Sequence, residues 1–414
     1  MTPKKSNLRD FRLKTVPFLA LLALTALFRS TQNAFQTTIG PIGHSILHLT
    51  PSVIGIGIAL AGAVNTLANL WLAMRLRSGH LRLIAMAGLT SMLVAILVVE
   101  VGGSIYSFLV SAVIFGASGG LAMPVLATLA SRVEGVSRDR AISAYTVALS
   151  ASLALGPFFE SIILKVTHDS LKSGLSSFLP FPLAALVLLS FVKPSMKPSK
   201  ISTEDRPFSG HISKNPHFRM AIVALLLYQV PFVAITSFGA LMAHYVYHAT
   251  IALAQLCFTV FFLVSLSTRS VLVWRPPGRH EYTLLRISAT LTLTGTLVLA
   301  VGHGLVSLFA AMVLLGVPHG LVYPVSISTV ARTTTSKDVP RANATLAAAT
   351  SAASVVSPLL LGEVASYFGY RAISILTLVP VAILAAFLFL MNPSKTPETT
   401  GPTIEAGPPE ISSS

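Results

Sequence analysis

A positive charge and several polar side chains lie inside an apolar stretch near the start of the chain. Arg29 is followed within one helical turn by Gln32 and Asn33. On a helix these residues share a face with Thr25 and Gln36, because the spacings are close to multiples of 3.6 residues. A guanidinium in an apolar helix faces protein or a water-filled cavity, where it binds an anion such as a carboxylate or pairs with a buried acid. The pattern therefore predicts a polar site on this face.

Two acids in apolar stretches are the possible partners or proton carriers. Glu160 and Glu363 both lie near the outer ends of predicted helices. At 1.5 Å per residue, Glu160 lies about 7 Å further out than Arg29, so an ion pair between them stays open as the alternative to substrate binding. His319 also titrates near physiological pH, so Glu160, Glu363 and His319 are the candidates to carry a coupling proton.

The remaining polar residues extend the predicted site to the second half of the chain. Tyr323 follows His319 at the spacing of one helical turn, and Gln229 stands where an internal repeat places the Arg29 region. For each polar residue the alternative is a hydrogen bond that packs helices together. The predicted substrate-binding residues are Arg29, Gln32, Asn33, Gln229, His319 and Tyr323.

The composition indicates an all-α polytopic membrane protein. The chain has 414 residues, 53% hydrophobic and only 10% charged, whereas soluble domains carry about 25% charged residues. Apolar stretches of about 20 residues recur throughout, which is the length that crosses a bilayer. A signal peptide is disfavoured, because no small-residue cleavage site follows the first stretch. Twelve transmembrane helices are predicted, at residues 15–37, 53–74, 83–101, 106–130, 141–164, 176–192, 220–247, 251–273, 282–301, 305–329, 342–366 and 372–391.

The net charge of +15 is explained by topology. The N-terminus and every second connection are basic, which predicts that both termini are cytoplasmic and makes a nucleic-acid partner unnecessary. In this assignment Arg269 counts with Arg275, Arg279 and Arg286 as one basic loop. The predicted organisation is a cytoplasmic N-terminus (1–14), a six-helix bundle (15–192), a polar cytoplasmic linker (193–219), a second six-helix bundle (220–391) and a disordered cytoplasmic tail (392–414).

The two predicted bundles are related by an internal repeat. Residues 116–132 align without gaps to residues 316–332. Six positions are identical where about one is expected by chance; they are Gly116/Gly316, Gly120/Gly320, Leu121/Leu321, Pro124/Pro324, Val125/Val325 and Arg132/Arg332. With a shift of one residue, Ser150 aligns to Ser351 and Pro157 to Pro358. Parallel six-helix repeats are typical of transporters whose halves rock about a central site.

The repeat, the six-plus-six arrangement and the basic central loop together resemble the major facilitator superfamily. Gly156-Pro157 resembles the Gly-Pro motif of its exporter branch, where such a pair leaves a helix bendable and able to pack closely. Pro358 is its counterpart in the repeat. The family's loop motif after the second helix keeps Gly79, but Leu76 stands where that motif has an aspartate. The resemblance implies a structural or gating role for Gly156, Pro157, Pro358 and Gly79.

The resemblance implies a secondary transporter that works by alternating access. Proton-linked efflux of a small organic molecule is the leading expectation. Uptake or facilitated transport of an organic anion is the alternative, because the first span carries a base where the exporters often carry an acid. A receptor or scaffold that does not transport is the competing class. With a single cysteine, Cys257, and no Walker loop, the sequence predicts no enzyme, no cofactor and no metal. The expected partners are a small-molecule substrate, the lipid bilayer and a coupling proton, for a monomer in the cell membrane.

Overall fold

The computed structural model describes residues 5–75, 80–133, 136–192, 215–275, 280–334 and 338–391. Side chains at 5–15, 138, 139 and 340 are outside the description. Gly79, Leu76, nearly all of the predicted linker and the predicted tail also lie outside it. The described chain is all-helical in architecture, as the hydropathy pattern predicts.

The first half consists of six helical spans, the last of which is interrupted. Its helices are α1 (Lys5–Pro41), α2 (Pro51–Arg75), α3 (Leu81–Val101), α4 (Ile105–Ala130), α5 (Arg138–Val166), α6 (Leu171–Ser176) and α7 (Pro180–Leu189). A π-helical turn, Ile42–Ile46, follows α1. The sixth span restarts at Pro180, because proline has no amide hydrogen to donate and is accommodated in the first turn of a helix.

The second half repeats this arrangement without the interruption. Its helices are α8 (Pro216–Tyr247), α9 (Ile251–Trp274), α10 (Glu281–Val301), α11 (Gly304–Thr333), α12 (Val339–Phe368) and α13 (Tyr370–Leu390). Each predicted span contains a helix, most with ends within a few residues of those predicted. α1 starts ten residues early, at Lys5, and the predicted sixth span, 176–192, is helical as α7 only from Pro180 to Leu189. Within the described residues, eleven helical stretches are long and apolar enough to cross a membrane, with α6 and α7 counted as one. α1 lies outside this count, since the side chains of residues 5–15 are not described.

The helix boundaries follow the repeat. α9 begins 200 positions after α2, at Ile251 against Pro51, and α10 ends 200 positions after α3, at Val301 against Val101. The repeated glycines bring equivalent helices into close contact. A Cβ on Gly116 would lie 2.2 Å from the Ala61 carbonyl oxygen, and one on Gly316 would lie 2.6 Å from the Phe261 carbonyl oxygen. These glycines therefore pack α4 on α2 and α11 on α9.

The two halves contact each other through α2 with α12 and through α5 with α9. We call the end that carries the α1–α2 connection the outer end, following the charge-based topology, and the opposite end the inner end. Near the outer end, α2 and α12 approach so closely that a Cβ on Gly55 would lie 2.3 Å from the Pro358 carbonyl oxygen. The hydroxyl oxygens of Ser52 and Ser366 are 2.7 Å apart there. The outer end is thus tightly packed between the halves.

The inner end of the second half contains an ion pair that the sequence analysis did not anticipate. Glu281, the first residue of α10, accepts hydrogen bonds from Ser328 at 2.7 Å and from Arg332 at 3.3 Å. Arg275, which aligns with the aspartate position of the family's loop motif, is the residue after α9. Glu281 therefore links α10 to α11, and it lies a few residues after Arg275, the position at which the motif has an aspartate.

We expect substitution of Gly116 by alanine to destabilise the protein. The added methyl group would overlap the Ala61 carbonyl oxygen, and such overpacking costs about 1–3 kcal/mol. Gly103→Ala is the matched control, because nothing lies within 4 Å of a Cβ at that position. Thermal unfolding in detergent should show a lower midpoint for Gly116→Ala than for Gly103→Ala, and equal midpoints would contradict the packing role.

Candidate functional site

Two adjoining cavities lie between the halves. One has a volume of about 240 Å³ and is lined by Arg29, and we name it the Arg29 cavity. The other has a volume of about 300 Å³ and is lined by Arg269, and we name it the Arg269 cavity. They share four lining residues, Gly62, Asn65, Phe232 and Ser354. The shared wall makes them two compartments of one central space.

Arg29 projects from the middle of α1 into its cavity. Its Nη1 donates a hydrogen bond of 2.5 Å to the Oε1 atom of Gln32, which lines the same cavity. Within the described structure no ion pair joins Arg29 to Glu160, so the alternative left open by the sequence is not what this structure contains. The guanidinium is oriented by an amide and keeps its full charge.

Glu160 belongs instead to a buried hydrogen-bond network near the outer end. One carboxylate oxygen accepts from the Thr38 hydroxyl, and the other has no hydrogen-bond partner in the described structure. Thr38 in turn accepts from Gln255 Nε2 at 3.1 Å, while Gln255 Oε1 accepts from Thr37 at 3.2 Å. Because Gln255 lies on α9 and the threonines lie on α1, this network crosses from one half to the other.

Arg269 is the functional candidate that the sequence analysis missed. Counting it with a basic loop was wrong, because it lies inside α9 and lines a central cavity. Its Nη1 donates to the Ser150 hydroxyl across the halves at 3.1 Å, and its Nη2 donates to the His319 carbonyl at 3.2 Å. Its position within the predicted span 251–273 was the available signal. The rule applied to Arg29 would have found it.

His319 lies beside Arg269 in an aromatic environment. Its ring stacks on Phe232 with centroids 4.7 Å apart, and its Nδ1 atom is hydrogen-bonded to the Tyr228 hydroxyl. Its Nε2 atom is buried without a hydrogen-bond partner in the described structure. His319 therefore combines the packing role expected of a helical histidine with one free ring nitrogen at the Arg269 cavity.

The structure separates the other predicted residues into two groups. Gln229 and Tyr323 line the Arg269 cavity, Tyr323 with 52% of its surface exposed. Asn33 faces α5, where its side-chain amide donates to the Leu153 carbonyl at 2.8 Å, and it lines neither cavity. Glu363 is exposed and also lines neither cavity.

The predicted structural residues lie at helix contacts. A Cβ on Gly156 would meet the Ser30 carbonyl oxygen at 2.7 Å, so this glycine lets α5 pack closely on α1. The adjacent Pro157 lies inside the continuous helix α5. Pro358, its counterpart in the repeat, contributes the carbonyl group against which Gly55 packs between the halves.

The electrostatics of the two cavities are one-sided. No aspartate or glutamate is among their described lining residues, whereas each cavity has one arginine. Arg29 and Arg269 line adjoining cavities, so both positive charges face the same central space. Because charges interact strongly away from bulk water, this pair creates a positive potential that an anion would offset.

The repeat distributes charge unevenly between equivalent positions. At the 200-residue offset, Arg29 corresponds to Gln229 and Asn69 corresponds to Arg269. The two halves therefore each provide one guanidinium and one amide, but at exchanged positions. The central site therefore has two cations only because each half contributes one of them, Arg29 from the first half and Arg269 from the second.

The outer end contains a second cluster of titratable groups. His44, in the π-helical turn after α1, forms a hydrogen bond of 3.1 Å between its Nδ1 atom and the Tyr370 hydroxyl of the other half. The His44 ring also packs edge-on against Tyr245 with centroids 5.0 Å apart. Burial lowers the pKa of His44, and the neighbouring His48 and His244 lower it further.

The chain belongs to the Major Facilitator Superfamily. The sequence profile of this family matches residues 19–276 and 278–412. The protein is therefore a multi-pass membrane protein of a transporter family. No curated protein sequence matches the chain.

Solved transporters share this fold at low sequence identity. The nucleoside transporter NupG aligns with a TM-score of 0.74 and 12% identity, covering 91% of this chain and 99% of that one. A bacterial homologue of the human lysosomal transporter Spinster, in an inward-facing and occupied conformation, aligns with a TM-score of 0.72 and 14% identity, covering 92% and 97%. A peptide transporter POT in complex with sulfate has a TM-score of 0.66 and 12% identity, covering 90% and 94%. At these identities the likeness establishes the fold of a secondary transporter and leaves the substrate to the site itself.

Replacing Thr38 by valine should weaken the contact between the two halves near the outer end. The substitution removes the hydroxyl that bonds both Glu160 and Gln255, and a buried polar group left without its partner costs about 1–3 kcal/mol. Thr236 lines the Arg29 cavity and is replaced by a reporter cysteine in a Cys257→Ser background. A membrane-impermeant thiol reagent is then applied to vesicles at the outer side. We expect the reporter cysteine to react faster when Thr38→Val is also present.

Thr31→Val is the control for this experiment. Thr31 is also buried on α1, but its hydroxyl donates only to a carbonyl of its own helix. Unchanged reporter reactivity in Thr38→Val, or an equal increase in Thr31→Val, would show that the network does not close the outer end.

Acidification should destabilise the folded protein in part through His44. Its pKa is lowered on folding, so the unfolded chain takes up the proton first as the pH falls through about 6.5. Stability from this group is therefore present above that pH and is lost below it. The decrease in thermal midpoint between pH 7.5 and 5.5 should be smaller in His44→Gln than in His303→Gln, which changes an exposed histidine. Identical decreases would contradict the contribution of His44.

Proposed function

We propose that the protein is a secondary transporter of small organic anions that works by alternating access to the central cavities. The observation that carries this proposal is the pair Arg29 and Arg269, one from each half, facing adjoining cavities whose described lining has no carboxylate. Removing one partner of a buried ion pair is costly because a charge is left uncompensated. A bound anion supplies the negative charge that the described lining of the cavities lacks.

The positions of the cations support a role in the transport cycle. Arg29 lies on α1 and Arg269 on α9, so an anion held by both is held by both halves. A ligand shifts an equilibrium between conformations only by its differential affinity for them. An anion that bridges the halves favours the conformation in which the halves bring the cations together, and this couples binding to their relative movement.

An anionic substrate agrees better with this site than the cationic drugs that many exporters carry. The exporter interpretation depended on Gly156-Pro157. Gly156 lets α5 pack closely against the Ser30 carbonyl of α1. This contact does not distinguish export from uptake. The sulfate in the related peptide transporter structure supports the idea that this fold accommodates an anion.

We assign proton coupling, as part of the same proposal, to Glu160. It is completely buried, has no cationic partner in the described structure, and has one carboxylate oxygen without a hydrogen bond. Through Thr38 it contacts Gln255 of the other half. A change in its protonation is therefore transmitted to a contact between the halves. His319 is the alternative carrier of the coupling proton. Glu363 is exposed and lines neither cavity, so no contact in the described structure supports it as a proton carrier.

Transport into vesicles tests the proposal. Purified protein is first screened by thermal shift against organic anions, cations and neutral metabolites, and the stabilising compounds are offered radiolabelled to reconstituted vesicles. We expect anions to be transported, and we expect Arg29→Gln and Arg269→Gln to reduce transport by about tenfold or more each, since a hydrogen bond to a charged group contributes about 1.5–3 kcal/mol.

The controls separate binding from coupling. Arg140→Gln removes an exposed arginine near the start of α5 and should transport normally. Glu160→Gln should still equilibrate substrate but lose the stimulation by a pH gradient. Full transport activity of both arginine variants would overturn the anion site. Substrate accumulation that does not depend on pH in the unaltered protein would overturn proton coupling. A stabilising ligand that never crosses the vesicle membrane would favour a receptor.

A further inference from the structure

The two central cavities are separate compartments with one cation each, and this division limits the shape of the ligand. The Arg29 cavity contains Gln32 and the stacked rings of Phe35 and Phe115, which lie with centroids 4.4 Å apart. The Arg269 cavity contains His319 and Tyr228. Among the described lining residues, neither arginine lines the cavity of the other. A single small anion in either compartment would therefore face one cation and leave the other without a counter-charge.

We infer that the substrate carries two anionic groups joined by a short neutral segment, with one group bound at Arg29 and the other at Arg269. This inference rests on the proposed transport of anions and specifies the substrate class. The segment between the groups would pass the wall that both cavities share, at Gly62, Asn65, Phe232 and Ser354. These four residues are uncharged. They therefore suit a neutral segment of the ligand better than a third charged group.

The fixed partners of the two arginines support a ligand with two ends. Arg29 is bound to Gln32, and Arg269 is bound to Ser150 and to the His319 carbonyl. All of these acceptors are neutral, so they orient the guanidiniums without reducing their charge. The two positive charges face adjoining compartments that share part of their wall. Two anionic groups compensate both charges at once, which one group in one compartment does not achieve.

The free polar atoms near the arginines mark where the ends would be recognised. The Nε2 atom of His319 and the Nε atom of Arg269 have no hydrogen-bond partner in the described structure. Both belong to residues that line the Arg269 cavity. A guanidinium offers several donors in a fixed plane and binds carboxylate or phosphate oxygens in pairs. The Arg269 compartment therefore has unpaired polar atoms beside its cation, whereas in the Arg29 compartment the cation is bonded to Gln32.

The test compares ligands that differ only in their number of charges. The purified full-length protein is titrated with dicarboxylates from succinate to suberate and with the monocarboxylates of the same chain lengths, and affinities are measured by calorimetry or thermal shift. We expect one or two of the dicarboxylate lengths to bind about tenfold or more tightly than the matched monocarboxylate, as loss of one charge-assisted contact predicts.

The arginine variants make the test specific. For the best dicarboxylate, Arg29→Gln and Arg269→Gln should each weaken binding by about tenfold or more, and each variant should bind the dicarboxylate and the matched monocarboxylate with similar affinity. Arg29→Lys and Arg269→Lys retain the charge and give a second set of variants if a glutamine variant fails to fold. Arg140→Gln is the control for removal of an arginine outside the cavities.

Three results would overturn the inference. Equal affinity for dicarboxylates and monocarboxylates, with a loss in only one arginine variant, would leave an anion transporter whose ligand has a single charged end. Binding of neither series would reject the two-ended ligand, and the vesicle assay with other anions would then decide the proposed function separately. Preference for dicarboxylates that persists in both glutamine variants would also overturn it, because the second charge would then be recognised elsewhere.

Discussion

Two guanidiniums held between helical bundles without a carboxylate are the constraint on which the arrangement depends. Taking Arg29 and Arg269 away from water is unfavourable, and the chain meets this cost with neutral acceptors and a polar cavity. α1, which carries Arg29, is enclosed by α5, α7 and α8, whose contacts shield its polar face from lipid. The site and the packing of α1 are therefore consequences of the same charges.

The fold was accessible from the sequence because a bilayer imposes simple lengths and charges. Apolar stretches located each helix, and the match of residues 116–132 to 316–332 located the repeat. The early start of α1 at Lys5 could not be read in this way, because a helix can continue into water where hydropathy no longer reports it. Pro180 is compatible with the start of a helix, but which residues close the preceding turn depends on tertiary packing.

The site was only partly predictable, and the reasons differ between residues. Arg29 stood out because no other charge lies near it in its stretch. Arg269 was missed because other arginines follow closely beyond the end of α9, and it was counted with them although it lies inside the predicted span 251–273. Asn33 was placed in the cavity although it bonds Leu153. Adjacent helical positions point about 100° apart, and here that rotation turns Asn33 from the cavity towards α5.

The exchange of arginine and amide between equivalent positions has a stereochemical consequence. If both halves carried the same residues, the centre would have twofold symmetry, and a ligand could enter either way round with equal affinity. Here Arg29 has Gln32 and a phenylalanine pair beside it, whereas Arg269 has a histidine and a tyrosine. The cavity thus has two distinguishable ends. We therefore expect a molecule with unlike ends to bind preferentially in one orientation, a preference that a site of twofold symmetry would not have.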